Sequence, residues 1–107
     1  MTDIIKLCPL SEVEEEKPVR VTPDQFPPLA VYVVEGEYYV TDDTCTHSVA
    51  SLCDGYQEGD EIECPFHGGA FNIKTGEAIS FPCTQPIAVY KVLIEDDFVC
   101  IEAPNEA

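Results

Sequence analysis

The chain has no tryptophan, one methionine, two histidines, and only five lysines and arginines against 21 aspartates and glutamates. Each scarcity excludes something. A formal net charge of −16 on 107 residues repels phosphate groups, so nucleic acid is excluded as a natural partner. No run approaches the roughly 18 apolar residues of a transmembrane helix, and residues 1–10 (MTDIIKLCPL) lack the basic and then apolar segments of a secretory signal. The expectation is a cytoplasmic protein that does not use a membrane. With two histidines in all and no glycine-rich phosphate loop, the chain carries no recognisable catalytic apparatus and reads as a non-enzyme. Its length suits one domain over residues 1–107, and a hydrophobic fraction of 45% is that of a folded globule rather than a disordered chain.

What is present concentrates in one stretch. Both histidines stand beside cysteines, as Cys45-Thr46-His47 and Cys64-Pro65-Phe66-His67, with the 16 residues 48–63 between them. Ordinary core or surface histidines have no reason to fall in matched pairs with cysteine, so Cys45, His47, Cys64 and His67 are read as a four-ligand metal site. Two centres suit such a set. A single zinc takes four ligands tetrahedrally, and its usual spacing groups the cysteines together and the histidines together. A two-iron, two-sulfide cluster with two thiolates on one iron and two imidazoles on the other is served by two loops that each give one of each. The mixed pairs favour the second. In an extended Cys-x-His segment alternate side chains face the same way, Pro65 fixes a backbone angle beside a ligand, and Gly68-Gly69 lets amides approach sulfur.

The run C-T-H at 45–47, with D-G-Y at 54–56 and E-C-P-F-H-G-G at 63–69, resembles the Rieske [2Fe–2S] signature, and the likeness extends over nearly the whole chain. It is similar to the small ferredoxin components of bacterial multicomponent aromatic-ring dioxygenases. The resemblance implies one [2Fe–2S] cluster, with Cys45 and Cys64 on the inner iron and His47 and His67 on the outer, exchange-facing iron. It implies too that the loop 80–86 covers one side of the cluster, with Pro82 in contact. High-potential Rieske proteins carry two more cysteines that bridge the loops, and a serine and a tyrosine whose hydroxyls bond to cluster sulfurs. The matching positions here are Ala50, Phe66, Gly69 and Phe71. Without bridge or hydroxyls, the expected potential lies near the low end of the Rieske range, roughly −150 mV.

The rest of the chain reads as strands. MTDIIKLCPL gives a short strand, residues 11–17 a charged turn or a single helical turn, by default a solvated connection, and 18–21 a second short strand. Leu29–Val34 and Tyr38–Val40 form a hairpin joined by Glu35-Gly36-Glu37, ending where Cys45 begins. Glu61–Glu63 leads into Cys64, and Ala70–Ile73 with Glu77–Ile79 makes another hairpin. Ile87–Ile94 and Phe98–Glu102 form a long closing one. No helical period is evident. The expected fold is all-β: antiparallel, sandwich-like sheets with an inserted two-loop cluster subdomain at about 43–80. Cys8, Cys53, Cys83 and Cys100 are read as unbridged packing residues, with Cys53 in the stretch between the Cys/His pairs and Cys83 placed near the cluster.

The resemblance implies a one-electron carrier between a flavin-containing NAD(P)H reductase and a terminal ring-hydroxylating oxygenase. The acidic charge suits a carrier that finds basic patches on larger proteins and leaves quickly, and Asp54, Glu58, Asp60 and Glu61 are candidate docking charges. Two other readings remain: the Rieske small subunit of another redox enzyme, of the nitrite reductase type, and a redox-inert, zinc-stapled interaction module.

Overall fold

The computed structural model describes residues 4–23, 26–46, 50–66, 68–81 and 83–102. Along the chain its strands are β1 (Ile4–Pro9), β2 (Val19–Val21), β3 (Leu29–Val34), β4 (Glu37–Asp42), β5 (Tyr56–Glu58), β6 (Glu61–Glu63), β7 (Ala70–Asn72), β8 (Ala78–Ser80), β9 (Val89–Tyr90), β10 (Val92–Glu95) and β11 (Phe98–Glu102). Every pairing among them is antiparallel.

The central strand is β3. Its sequence is an unbroken apolar run, and all six residues are buried. Side chains leave a strand alternately on opposite faces, so such a run needs cover on both. Leu29, Val31 and Val33 enter one core with Cys8, Val40, Val99 and Ile101. Ala30, Tyr32 and Val34 enter another with Cys45, Leu52, Ile62, Cys64 and Phe71. One strand therefore separates a structural base from the cysteine-bearing region.

The base core lies between a sheet ordered β2-β3-β4-β9 and a sheet ordered β1-β11-β10, which is the expected sandwich. The other core is closed by a meander, β5-β6-β7-β8. Because β4 pairs directly with β9 (Val40 opposite Tyr90), the meander falls between two neighbouring strands in sequence. Strand β5 was not anticipated from its sequence; its Gln57 is buried against Ile62 of β6, while Tyr56 and Glu58 face out.

Three local expectations change. The β3–β4 turn has two residues rather than three: Glu35 (φ 51°) and Gly36 (φ 84°) take the left-handed pair that matches strand twist, and Glu37 already pairs with Val34. Residues 11–17 are more than a solvated connection, since Val13 follows a short 3-10 turn, Leu10–Glu12, into the base core. The long strand expected over 87–94 breaks at Lys91. Val89–Tyr90 pairs with β4, where the Tyr90 hydroxyl donates to Asp42 Oδ1 at 2.6 Å, and Val92–Glu95 pairs with β11 in the other sheet.

Cys8, Cys53, Cys83 and Cys100 form no disulfide. Burial in the base core pushes the Cys8 thiol up to about 11, with the nearby Glu12 charge adding to the shift. A raised pKa means that the folded protein holds this proton more tightly than the unfolded chain. The resulting stability is whole below pH 9.0, the ordinary thiol value, and is lost as pH rises through about 11. Cys8→Val is therefore expected to lose less stability than the wild type between those pH values, by on the order of 2 kcal/mol at the alkaline end, as read from urea unfolding.

Candidate metal centre

Two loops of equal size carry the Cys/His pairs, and both close in the same way. In the first, Thr44 bridges Ser51 and the Cys45 N–H donates to the Ala50 carbonyl at 3.0 Å. In the second, Glu63 pairs with Ala70 and the Cys64 N–H donates to the Gly69 carbonyl at 2.6 Å. Each cysteine is thus the first residue of a six-residue loop that prolongs an antiparallel pair, and each loop contains one histidine. A strand end holds a side chain more firmly than a free loop does.

Cys45 is 3% and Cys64 1% exposed, and both lie in the apolar core with Leu52, Ile62 and Phe71. Thiolates are costly to bury in such surroundings unless cationic charge offsets them. An iron–sulfur unit supplies that charge, and soft thiolate sulfur is the donor it takes. The donor set therefore fits the group. His47 and His67, like Pro82, lie outside the described residues.

A buried carboxylate braces the first loop. Asp43, 2% exposed, accepts from the Ser51 hydroxyl at 2.6 Å and from the Cys53 N–H at 3.0 Å. Its backbone donates to Pro28 O and accepts from the Leu52 N–H at 2.7 Å, and Arg20 of β2 approaches its Oδ2 at 4.0 Å. One side chain thus ties the strand end before Cys45 to the 3-10 turn Leu52–Asp54. Beside it, Tyr32 and Thr41 hydroxyls are 2.9 Å apart; Thr41 gives its proton to Asp42 O, so Tyr32 donates to Thr41.

The loop 80–86 reaches the same place from the far side. Thr46 Oγ1 donates to Gln85 O at 2.9 Å, and the Cys83 N–H donates to Ser80 O at 3.0 Å. Cys83 is 4% exposed, with its Sγ 3.8 Å from Cys45 Sγ. Its thiol is pushed up to about 12, first by burial and then by the hydrogen bond and charge of Cys45 and the charge of Cys64.

Outside the cysteine core, a cavity of about 300 Å³ is lined by Glu16, Glu58, Glu61 and Glu63, with Gly68 and Ala70 at the edge of the second loop. Of the four candidate docking charges, Glu58 and Glu61 line this groove and Asp54 is exposed elsewhere. Asp60 is half-buried and engaged by Asn72 Nδ2 at 3.4 Å. Sequence reasoning missed Glu16, Glu63 and Asp43, and placed Cys83 near the cluster only as a packing residue. Only Glu63 left a signal, the Glu61-Ile62-Glu63 alternation that puts both carboxylates on one exposed face. The loops also present apolar surface, with Phe66 53% and Phe81 85% exposed.

The Rieske [2Fe-2S] domain family matches residues 3–91, and the chain belongs to that family. Its cofactor is accordingly one Rieske [2Fe–2S] cluster. Within the family it is 46% identical over 97 residues to ferredoxin CarAc of Metapseudomonas resinovorans, covering 91% of each chain. It is 39% identical over 103 residues to the ferredoxin component of the p-cumate 2,3-dioxygenase system of Pseudomonas putida, covering 95% of this chain and 87% of that one. Among solved structures it matches a Sphingomonas yanoikuyae B1 ferredoxin with a TM-score of 0.93 at 53% identity, over 95% of this chain and 100% of the other. It matches a chain of the complex of reduced oxygenase and oxidized ferredoxin in carbazole 1,9a-dioxygenase with a TM-score of 0.88 at 43% identity, over 97% and 96%. No helix among the described residues is long and apolar enough to cross a membrane.

Proposed function

We propose that this chain is the one-electron carrier of a multicomponent aromatic-ring dioxygenase system, with Cys45 and Cys64 binding one iron of its cluster and His47 and His67 the other. The observation that carries the ligand assignment is the pair of matched loops, each closed by its own cysteine N–H and each holding one Cys and one His. Residues 1–107 act as a single domain, with 43–80 as its cluster-binding subdomain. The chain works in the cytoplasm, and its role is transfer rather than catalysis. A nitrite reductase small subunit from Mycobacterium tuberculosis shares the fold, with a TM-score of 0.83, but at 15% identity it says nothing of function.

When bound, the cluster supplies one reversible electron. The protein does the remainder. Cys45 and Cys64, buried under Leu52, Ile62 and Phe71, hold their side of the centre away from water. At the end of the molecule that carries the two cysteine loops, Phe66 and Phe81 offer a surface that a partner can dry on contact. The groove of Glu16, Glu58, Glu61 and Glu63 gives that end a negative field. Partners are a flavin-containing NAD(P)H reductase, which loads the electron, and a terminal Rieske oxygenase, which takes it. Both encounters must be fast and brief, and long-range charge attraction serves that need better than a large apolar interface does.

EPR of the dithionite-reduced protein, with iron and acid-labile sulfide counts, tests the centre. Two irons, two sulfides and a rhombic signal of low average g are expected; a colourless, EPR-silent protein with one zinc would refute it. Partner choice is tested by the rate at which a flavoprotein reductase of this class reduces the chain. That rate is expected to fall about tenfold between low and several-hundred-millimolar salt, and Glu58→Lys/Glu61→Lys to slow it at low salt alone. A salt-independent rate would remove electrostatic steering.

A further inference from the structure

Neither Gly69 nor Phe71 carries a hydroxyl to the cysteine core, and loop 80–86 brings a different donor there. We propose that Cys83 donates an S–H hydrogen bond to the Cys45 thiolate and thereby raises the reduction potential of the cluster from outside its ligand set. The inference rests on Cys45 being an iron ligand.

The geometry leaves Cys83 little other use. Its Sγ stands 3.8 Å from Cys45 Sγ, within reach of a sulfur hydrogen bond and far beyond the roughly 2.05 Å of a disulfide. A ligand thiolate has no proton to give, so the donor in this pair is Cys83. The position is held from three sides. The Cys83 N–H is bonded to Ser80 O, Gln85 O of the same loop accepts from Thr46, the residue after Cys45, and a Cβ added at Gly69 would collide with Cys83 Sγ. Residue 69 is glycine where the Cys83 thiol fills the space that a side chain would need. The site is also dry, since Cys83 and Cys45 are 4% and 3% exposed, so the S–H dipole is not screened by water.

The sign follows from charge. Reduction would make the whole cluster one unit more negative, and a donor aimed at a ligand sulfur would stabilise that state more than the oxidised one. Removing the donor lowers the potential. In Cys83→Ala, purified with two irons and two sulfides and an unchanged EPR line shape, the reduction equilibrium is expected to weaken by up to about tenfold, which for one electron is about 59 mV. The wild-type Fe–S stretching bands in resonance Raman are expected to shift in D2O, and that shift to shrink in Cys83→Ala. An unchanged potential with an unchanged D2O shift would overturn the proposal. If the alanine variant fails to hold its cluster, Cys83→Ser decides. Replacing S–H by O–H must change both potential and D2O shift, and identity with the wild type in both overturns it. The ligand assignment fails separately: Cys45→Ala would then keep its two irons and two sulfides.

Discussion

Gly69→Ala is expected to lower the stability of the cluster-loaded protein by about 3 kcal/mol, at the upper end of what overpacking costs. The backbone at Gly69 is not in the left-handed region, so alanine has no conformational objection to the position; the opposition is space. A Cβ there would collide with Cys83 Sγ and stand 3.0 Å from Cys83 N and 3.1 Å from its Cβ. Neither side can retreat cheaply. Gly69 O holds the Cys64 N–H at 2.6 Å, so shifting residue 69 moves the second Cys/His loop, and Cys83 is packed in the same core. Urea unfolding followed by loss of the visible cluster absorbance measures the cost. The double variant Gly69→Ala/Cys83→Ala identifies the obstacle: most of the loss is recovered if the Sγ is responsible, and an equal loss in both backgrounds places it at the Cys83 backbone.

Asp43→Ala is expected to cost about 3 kcal/mol or more, with a matching loss of bound iron. The carboxylate is the acceptor for the Ser51 hydroxyl and the Cys53 N–H and faces Arg20, all at the root of the first loop. Truncation leaves the half-buried Ser51 hydroxyl and Cys53 N–H without their acceptor, and unsatisfied buried groups cost more than the bonds were worth. Asp43→Asn keeps an oxygen for the Cys53 N–H but no longer offers a second one to Ser51 and Arg20. It is expected to lose about half as much. The measurements are the urea midpoint and iron per chain. An alanine variant as stable and as iron-replete as the wild type would show that the loop is held by its backbone bonds alone.

How much of this was readable beforehand depends on distance along the chain. The Cys/His pairs were legible because metal chemistry restricts residue type at positions two or three apart. The all-β reading held because strand alternation and turn residues are local, and Glu35-Gly36 and Asp96-Asp97 carry the left-handed angles of tight turns. Asp43 was less legible. In Asp42-Asp43-Thr44 it is one of two adjacent acidic residues at a strand end, and nothing local marks it as the one that the turn Leu52–Asp54 contacts. Lys91 left no mark either, since the apolar run continues on both sides of the residue where the chain changes sheets.

By itself the sequence determined the strand-built fold, the two Cys/His pairs offered as ligands and the chain's strong negative charge, since each follows from composition or from spacing within a few residues. The tertiary structure alone decided that β3 divides two cores, that Glu16 joins Glu58, Glu61 and Glu63 in one groove, and that the Cys83 thiol faces Cys45. The reason is physical: these are contacts between segments remote in the chain, made only after both faces of β3 have been covered, and no local pattern encodes which distant surface supplies the cover.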